Sequence, residues 1–579
     1  MGVNPASLAV RFWGRKRLAD QAGGRFDVIV VGSGASGGWA AKRLAEAGVK
    51  VVMLDAGRAL SPADYSEHKP PFATKYRDHA PELIRRTRPK QKDCYACMEW
   101  NFDWFANDLE EPYQTPQGKP FSWQGRMRVV GGRTNVWGRQ CYRLSPLDMK
   151  PASFDGFGED WPLSYEDLVP YYELVEDYVG ITGMPEGVHE LPDSRFHPPM
   201  GMHCAEWRLK NKVKEKLGRT VTLGRSANLT KPINGRQACH YCGPCERGCV
   251  TKSYFNSAFT TVADALATGN CTLVQNAMVY KVLTDADNRA RGVLYIDRQT
   301  REPKEVFARA VVVSAQALES ARILLNSANE RQPNGLANSS GALGHYLMDH
   351  LWVAGGAEGD FPDLHGSPSL DGPRRPDGIY VIRFRNRHDE PKYSKFLRGY
   401  GFQGGASTGF NFGAPGFGLA FKQGLREPVT RLGLAGFGEV LPRFENFVEI
   451  DRDVVDVFGV PTLKIHMGWS DNERAMITDM AESAGEMLEA AGAKNVKPWQ
   501  VHDRIPGYGI HEMGVARMGK DAKTSVLNQY QQSHDINNLF VMDAAGFTSG
   551  GCQNPTLTIM ALTVRSTDFL LSEMKKGSL

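Results

Sequence analysis

Residues 26–57 read FDVIVVGSGASGGWAAKRLAEAGVKVVMLDAG, and they decide the fold. Apolar residues Val28 to Val31 predict a strand, the glycines after it a turn, and the alanine-rich stretch beyond a helix. Val51 to Leu54 then predict a second apolar strand that ends in an acid, Asp55. This is a complete βαβ unit. Gly32 permits the tight turn, Gly34 lets backbone approach a pyrophosphate, and Gly37 allows close helix–strand packing, with the helix N-terminus facing the anion. Asp55 stands 21 residues after Gly34, where an acid can accept hydrogen bonds from a ribose. A glycine turn with a purely structural role is the alternative, and the strand, helix, strand and acid together argue against it. The expected ligand is FAD or NAD.

Working outward, composition limits what surrounds this unit. A chain of 579 residues exceeds a usual single domain. With 41% hydrophobic and 23% charged residues it has the make-up of a globular protein, which excludes disordered and fibrous classes. A formal charge of +4 without a long basic run gives no reason to expect nucleic acid. No apolar stretch is long enough for a spanning helix. Residues 1–26 carry charges where a secretory core would be apolar, so they predict an amphipathic helix rather than a signal peptide.

Four of the ten cysteines crowd into CHYCGPCERGC, residues 239–249. The Cys-x2-Cys-x2-Cys-x3-Cys spacing of Cys239, Cys242, Cys245 and Cys249 repeats that of a ferredoxin-type iron–sulfur run. Zinc and a disulfide knot are the alternatives. A zinc ribbon separates two Cys-x2-Cys pairs, and Cys94-x2-Cys97 supplies a second pair, so zinc stays open. A chain this long buries a core without disulfide staples. Cys94 and Cys97 themselves read equally as a disulfide, a zinc half-site or buried thiols.

FSWQGRMRVVGGRTNVWG (121–138), ARAVVVSAQALESARILLNS (308–327), GALGHYLMDHL (341–351) and NNLFVMDAAGFTSGGCQNPTLTIMALTVR (537–565), in this order, resemble the glucose–methanol–choline (GMC) family of flavin oxidoreductases over the whole chain. By the cysteine run the sequence is most similar to catalytic subunits of bacterial membrane-linked FAD sugar dehydrogenases. Their Cys-x5-Cys-x3-Cys pattern falls here on Cys239, Cys245 and Cys249, with Cys242 additional. The resemblance implies a [3Fe-4S] cluster, and the additional thiol leaves [4Fe-4S], with Cys242 as a further ligand, open. It implies an α/β chain: a Rossmann-type FAD-binding domain of discontinuous segments, expected at residues 20–150, 240–350 and 505–579. An α+β substrate domain with an antiparallel sheet is expected at 151–238 and 351–504, and the cluster run lies at the boundary.

Gly131, Gly132, Thr134 and Asn135 form a turn whose exposed amides can meet flavin or pyrophosphate oxygens, with Trp137 covering the ring; a surface turn with a core tryptophan is the alternative. Where some family members carry a flavin-linking histidine this chain has Val136, so FAD is expected to be non-covalent. Asp543, after an apolar strand, resembles the family's second flavin-contacting acid, and a helix cap is its structural alternative. Alcohol oxidation by hydride transfer leaves a hydroxyl proton, which calls for a base near neutral pKa. His511 in GYGIHEMGVARMG matches the family's catalytic histidine. Asn554 in GGCQNPTLT matches the partner that hydrogen-bonds the same hydroxyl, and the proline after it keeps its backbone extended. His345, His350 and His502 receive no role.

The expected function is therefore an FAD-dependent dehydrogenase that oxidises a sugar or glycoside hydroxyl, at a ring secondary position such as C3 or at the anomeric carbon. Electrons would pass through the cluster to a partner carrier. A small export subunit and a haem-containing acceptor subunit are the implied partners, with membrane contact only through them, and the periplasm is the implied location, the cytoplasm being the alternative. Two rival functions are an oxidase using oxygen, with structural cysteines, and a non-enzymatic flavin–cluster relay. Residues 413–453 read as sheet strands, and 471–493 as an amphipathic helix ending in glycine.

Overall fold

The computed structural model describes residues 16–17, 26–76, 81–364, 375–411 and 413–579. The helix expected near the N-terminus falls outside the described residues, apart from the two-residue strand Lys16–Arg17.

The βαβ unit forms as strand Phe26–Val31, helix Ala35–Glu46 and strand Val51–Leu54. Its β-branched strand residues Val28, Ile29 and Val30 are fully buried, which suits a parallel strand covered on both faces. Phe26–Val31 lies between Val51–Leu54 and Pro303–Val313, parallel to both, and Cys271–Val274 extends the edge. Pro303–Val313 serves two ladders. Its first half pairs antiparallel with Ala290–Asp297, which pairs in turn with Ala277–Thr284, while its second half is also parallel to Leu539–Val541. Residues far apart in sequence thus build one eight-stranded sheet. Trp39, Ala40 and Leu44 of the first helix are buried, and the C-terminal helix Thr556–Lys576 packs across it.

A second, antiparallel sheet has the order Lys494–Gln500, His350–Asp360, Pro428–Glu439, Tyr400–Phe410, Ile379–Val381, Val221–Leu223. Helix Asp471–Ala490 crosses it, started by a capping box between Ser470 and Glu473. Glycines in the strands set how close this helix comes. A Cβ at Gly436 would lie 2.4 Å from Met480 Sδ and one at Gly438 2.6 Å from Met476 Sδ, so the bare backbone is what admits the two methionines.

Within residues 413–453 the expected strands form at Pro428–Glu439 and Phe447–Val455, but Gly418–Arg426 is a helix. Leu, Ala, Phe, Lys, Gln and Arg in that segment are mostly strong helix formers, and their propensity outweighs the alternating pattern that favoured a strand. Among the described residues, no helix is long and apolar enough to cross a membrane.

Candidate active site

A cavity of about 560 Å³ opens between the two sheets. At one end it is lined by Gly32, Ser33, Gly34, Asp55 and Gly132, and at the other by Gln403, Phe437, His511 and Asn554. The two glycine turns meet: the Gly131 N–H donates to Ser33 Oγ at 2.9 Å, and Gly131 and Gly132 both have positive φ, +88° and +51°. A Cβ on Gly32 would lie 2.3 Å from the Ser314 carbonyl, whereas one on Gly34 would meet nothing within 4 Å. Gly32 is closed by protein and Gly34 faces open space. Gly37 does not line the cavity; a Cβ there would lie 2.0 Å from the Gly32 carbonyl, so it governs helix packing.

Asp55 is buried at the cavity edge, accepting from the Ser33 and Gly57 amides at 3.0 and 2.7 Å, and burial raises its pKa. Asp543 also lines the cavity. It caps the turn Ala544–Gly546 through the Ala545 N–H and accepts from Ser320 Oγ; burial pushes its carboxyl up to about 6. Thr134 lines the cavity and accepts from the Ser257 amide. Asn135 does not reach it. Its Nδ2 donates to the Val130 and Gly132 carbonyls and its Oδ1 accepts from Tyr65 and Asn256, so it braces the turn from behind. Val136 and Trp137 line the cavity, and Trp137 Nε1 donates to the Phe255 carbonyl.

The dinucleotide end fits FAD. The open face at Gly34 leaves room for phosphate beside a helix N-terminus. Gln316, held at φ +79° on the cavity wall, has a buried Nε2 with no partner among the described residues. An orphaned buried donor costs about 1–3 kcal/mol unless a ligand oxygen takes it.

At the far end, His511 lies on a loop stitched to the start of strand His350–Asp360. Asp349 accepts the Gly509 and His511 amides at 2.8 and 2.9 Å, and Met348 and Met513 exchange backbone bonds. Arg133 forks onto Glu512, at 2.8 and 3.1 Å, and donates to the Ile510 carbonyl. This ties the loop to the flavin-side turn.

The His511 ring faces a second histidine. His350 Nδ1 is 3.1 Å from His511 Nδ1, and His350 Nε2 is 3.0 Å from the Gly551 carbonyl. A carbonyl only accepts, so His350 Nε2 carries the hydrogen. Burial holds the His350 pKa down, to about 4, so its ring is neutral and its Nδ1 is a lone pair. His511 Nδ1 must therefore carry a hydrogen, which leaves Nε2 as the unprotonated nitrogen. Burial first, then His350 and Arg133, hold His511 well below its ordinary pKa. Asn554 is fixed in the same manner: Gln403 Nε2 donates to its Oδ1 at 2.6 Å, which frees Nδ2 as a donor. The cavity lining thus includes one fixed acceptor and one fixed donor.

Asp377 lines this end as well. Gln140 donates to its Oδ1 at 3.1 Å, while Oδ2 is buried without a hydrogen-bond partner among the described residues. Burial pushes Asp377 up to about 6, against the pull of Arg139. Trp352 lines the cavity with its ring stacked on Tyr508 at 5.7 Å.

All ten cysteines are free thiols. Cys94 and Cys97 are buried in a small apolar cluster with Trp104, Phe105, Val129 and Val136, which answers the question left by their spacing: neither is in a disulfide. In the run, Cys245 is buried, Cys239 and Cys249 are partly buried and Cys242 is exposed. The Tyr241 amide points at Cys239 Sγ (3.4 Å) and the Ser253 amide at Cys249 Sγ (3.2 Å). Among the described residues no three cysteine sulfurs lie within 4.8 Å of one another. The segment after the run is bonded to the turn that Asn135 braces, Tyr254 Oη donating to the Asn135 carbonyl.

The roles of His350, Gln403, Asp377 and Gln316 were not read from sequence. His350 and Gln316 at least lie inside recognised segments. Gln403 and Asp377 reach the cavity through cross-strand register and a loop, which leave no local pattern. His345, against the Phe444 carbonyl, and His502, against Gln500, do not line the cavity.

GMC oxidoreductase family models match residues 26–352 and 442–563. The chain is 30% identical to 2-methyl-1,2-propanediol dehydrogenase of Mycolicibacterium austroafricanum over 94% of its own length and 95% of that protein's. It is 27% identical to the fructose dehydrogenase large subunit of Gluconobacter japonicus, over 95% and 98%. Among solved structures, pyridoxine 4-oxidase from Mesorbium loti superposes with a TM-score of 0.60 at 16% identity, covering 95% of this chain and 99% of that one.

Proposed function

The chain belongs to the GMC oxidoreductase family, as an FAD-dependent enzyme acting on CH–OH groups, and from that premise we propose that it is a dehydrogenase of sugars or glycosides. The carrying observation is the fixed polarity of the wall: His511 Nε2 is left to accept a proton because His350 occupies Nδ1, and Asn554 Nδ2 is left to donate because Gln403 occupies Oδ1. A secondary alcohol needs that pair. Asn554 orients the hydroxyl oxygen and His511 removes its proton, while FAD, when bound, supplies the acceptor for the carbinol hydride. Asp377 on the cavity wall favours a substrate with more than one hydroxyl, and the Trp352 face suits the C–H side of a sugar ring.

The reading includes an iron–sulfur cluster held by Cys239, Cys245 and Cys249, with Cys242 as fourth ligand if it is [4Fe-4S]; such a cluster accepts electrons singly. Four thiols in a ferredoxin-type spacing and backbone amides directed at two of the sulfurs support it. A relative named a large subunit supports an acceptor partner for this chain too. Export to the periplasm with a signal-bearing partner belongs to the same proposal, and fractionation of cells expressing this chain with and without that partner tests it.

Iron and labile-sulfide analysis, with electron paramagnetic resonance before and after anaerobic addition of a sugar, tests the whole reading. It expects about three or four irons per chain and a signal that changes with sugar. Stoichiometric FAD with no iron, and oxygen consumed in step with sugar, would instead establish the oxidase.

A further inference from the structure

Away from the cavity, His189, Glu190 and His388 bring their ligand atoms within 4.8 Å of one another. The residues come from two loops of the region around the antiparallel sheet. His189 and Glu190 precede the bridge residue Leu191, and His388 follows strand Ile379–Val381. The imidazoles stack face to face at 3.7 Å, which turns both Nδ1 atoms toward one carboxylate. His388 Nδ1 is 2.7 Å and His189 Nδ1 3.9 Å from Glu190 Oε1.

Two further facts set this group apart from a casual ion pair. Glu190 is 99% buried, with a side chain 1% exposed, yet its Oε2 has no partner among the described residues. His189 Nδ1 is likewise buried and makes no hydrogen bond among the described residues. A buried carboxylate oxygen and a buried imidazole nitrogen left unsatisfied together are costly unless something fills the space between them. The nearest competitor is Arg387, whose Nε is 3.8 Å from Glu190 Oε1, but its other nitrogens engage Asp389 and Glu390.

We propose that His189, Glu190 and His388 form a divalent transition-metal site of zinc type, with the fourth position open to water. Two imidazoles and a carboxylate are a fitting donor set, and bonds of about 2.0–2.2 Å would bring the ligand atoms to about 3.3 Å apart. The half-exposed rings close that gap by rotating. The metal takes the place of the proton now shared between His388 and Glu190.

Its position gives it a structural effect. Gln553 Nε2 donates to the Glu190 backbone carbonyl at 3.2 Å, and Gln553 directly precedes Asn554. A metal that clamps the 189–190 loop to the 388 loop braces the backbone behind Asn554.

The test is equilibrium dialysis of chelator-treated holoenzyme against micromolar zinc chloride, followed by elemental analysis. Wild type, His189→Gln and His388→Gln are compared, with circular dichroism and bound flavin as checks of folding. The expected result is one more zinc per chain in wild type than in either variant, a zinc-dependent rise in melting temperature in wild type alone, and recovery of the zinc in His388→Cys. Equal zinc in all proteins, or none beyond what the cysteine run accounts for, overturns the proposal. Because the count depends on neither substrate nor turnover, it separates this site from the catalytic reading.

Discussion

His350 Nδ1 lies 3.1 Å from His511 Nδ1 while its other nitrogen faces the Gly551 carbonyl. The pair works as a relay of tautomers. A backbone carbonyl sets the hydrogen on His350 and His350 sets it on His511, which leaves His511 Nε2 as the acceptor that the proposed function uses. His350→Ala should lower kcat about 10- to 100-fold with a smaller change in KM, since orientation rather than binding is lost. His350 is one of the groups holding the His511 pKa down. The acid limb of the pH–rate profile should therefore move upward in the variant, and a profile left in place would remove His350 from the mechanism.

Asn554 is held by a different element. Gln403 comes from strand Tyr400–Phe410 and Asn554 from the loop before the C-terminal helix. Asn554→Ala should cost about 10²-fold in kcat, the usual loss of one well-placed donor. Gln403→Ala should cost less, because Asn554 keeps its donor but not its orientation. Steady-state kinetics on both variants checks the order.

Asp377 gives a pH prediction with two signs. Substrate hydroxyls donate to the ionised carboxylate, so KM for a polyol or sugar should rise as pH falls through about 6. Asp377→Asn should flatten that dependence and spare simple monohydric alcohols. For stability the sign reverses. A folded pKa raised above the unfolded value gives stability that is present at low pH and lost as pH rises through about 6. At pH 7 the Asn variant should be more stable than wild type, by up to about 3 kcal/mol. Thermal melts at pH 5 and pH 7 measure it.

The glycines separate fold from ligand. Gly32→Ala places a Cβ 2.3 Å from the Ser314 carbonyl at a φ of +98°, so the protein should lose about 2 kcal/mol or more of stability. Gly34→Val projects into open space and should fold, yet retain FAD poorly. Comparing melting temperature with flavin content distinguishes them.

These predictions also mark what was legible in sequence. The βαβ unit could be read because each residue signals locally: apolar run, glycines at fixed offsets, terminal acid. His511 and Asn554 could be matched because they lie in recognised segments. Asn135, expected to touch the cofactor, turns its amide inward to brace the turn, a choice set by Tyr65 and Asn256 from remote parts of the chain. Helix Gly418–Arg426 lies inside a segment that reads as strands, because a short apolar run with glycines does not distinguish a strand from a short amphipathic helix. Gln403 and Asp377 were invisible because register and loop packing deliver them. Local chemistry is written in order along the chain, and the site's specificity is written across it.

The most direct measurement is anaerobic stopped-flow absorbance, mixing the FAD-loaded enzyme with a reactive sugar and following flavin bleaching in wild type and His511→Ala. The account predicts that bleaching in the variant slows by about 10²- to 10⁴-fold at saturating sugar, with FAD content unchanged. Bleaching at the wild-type rate would show that the proton leaves by another route and that His511 is not the base.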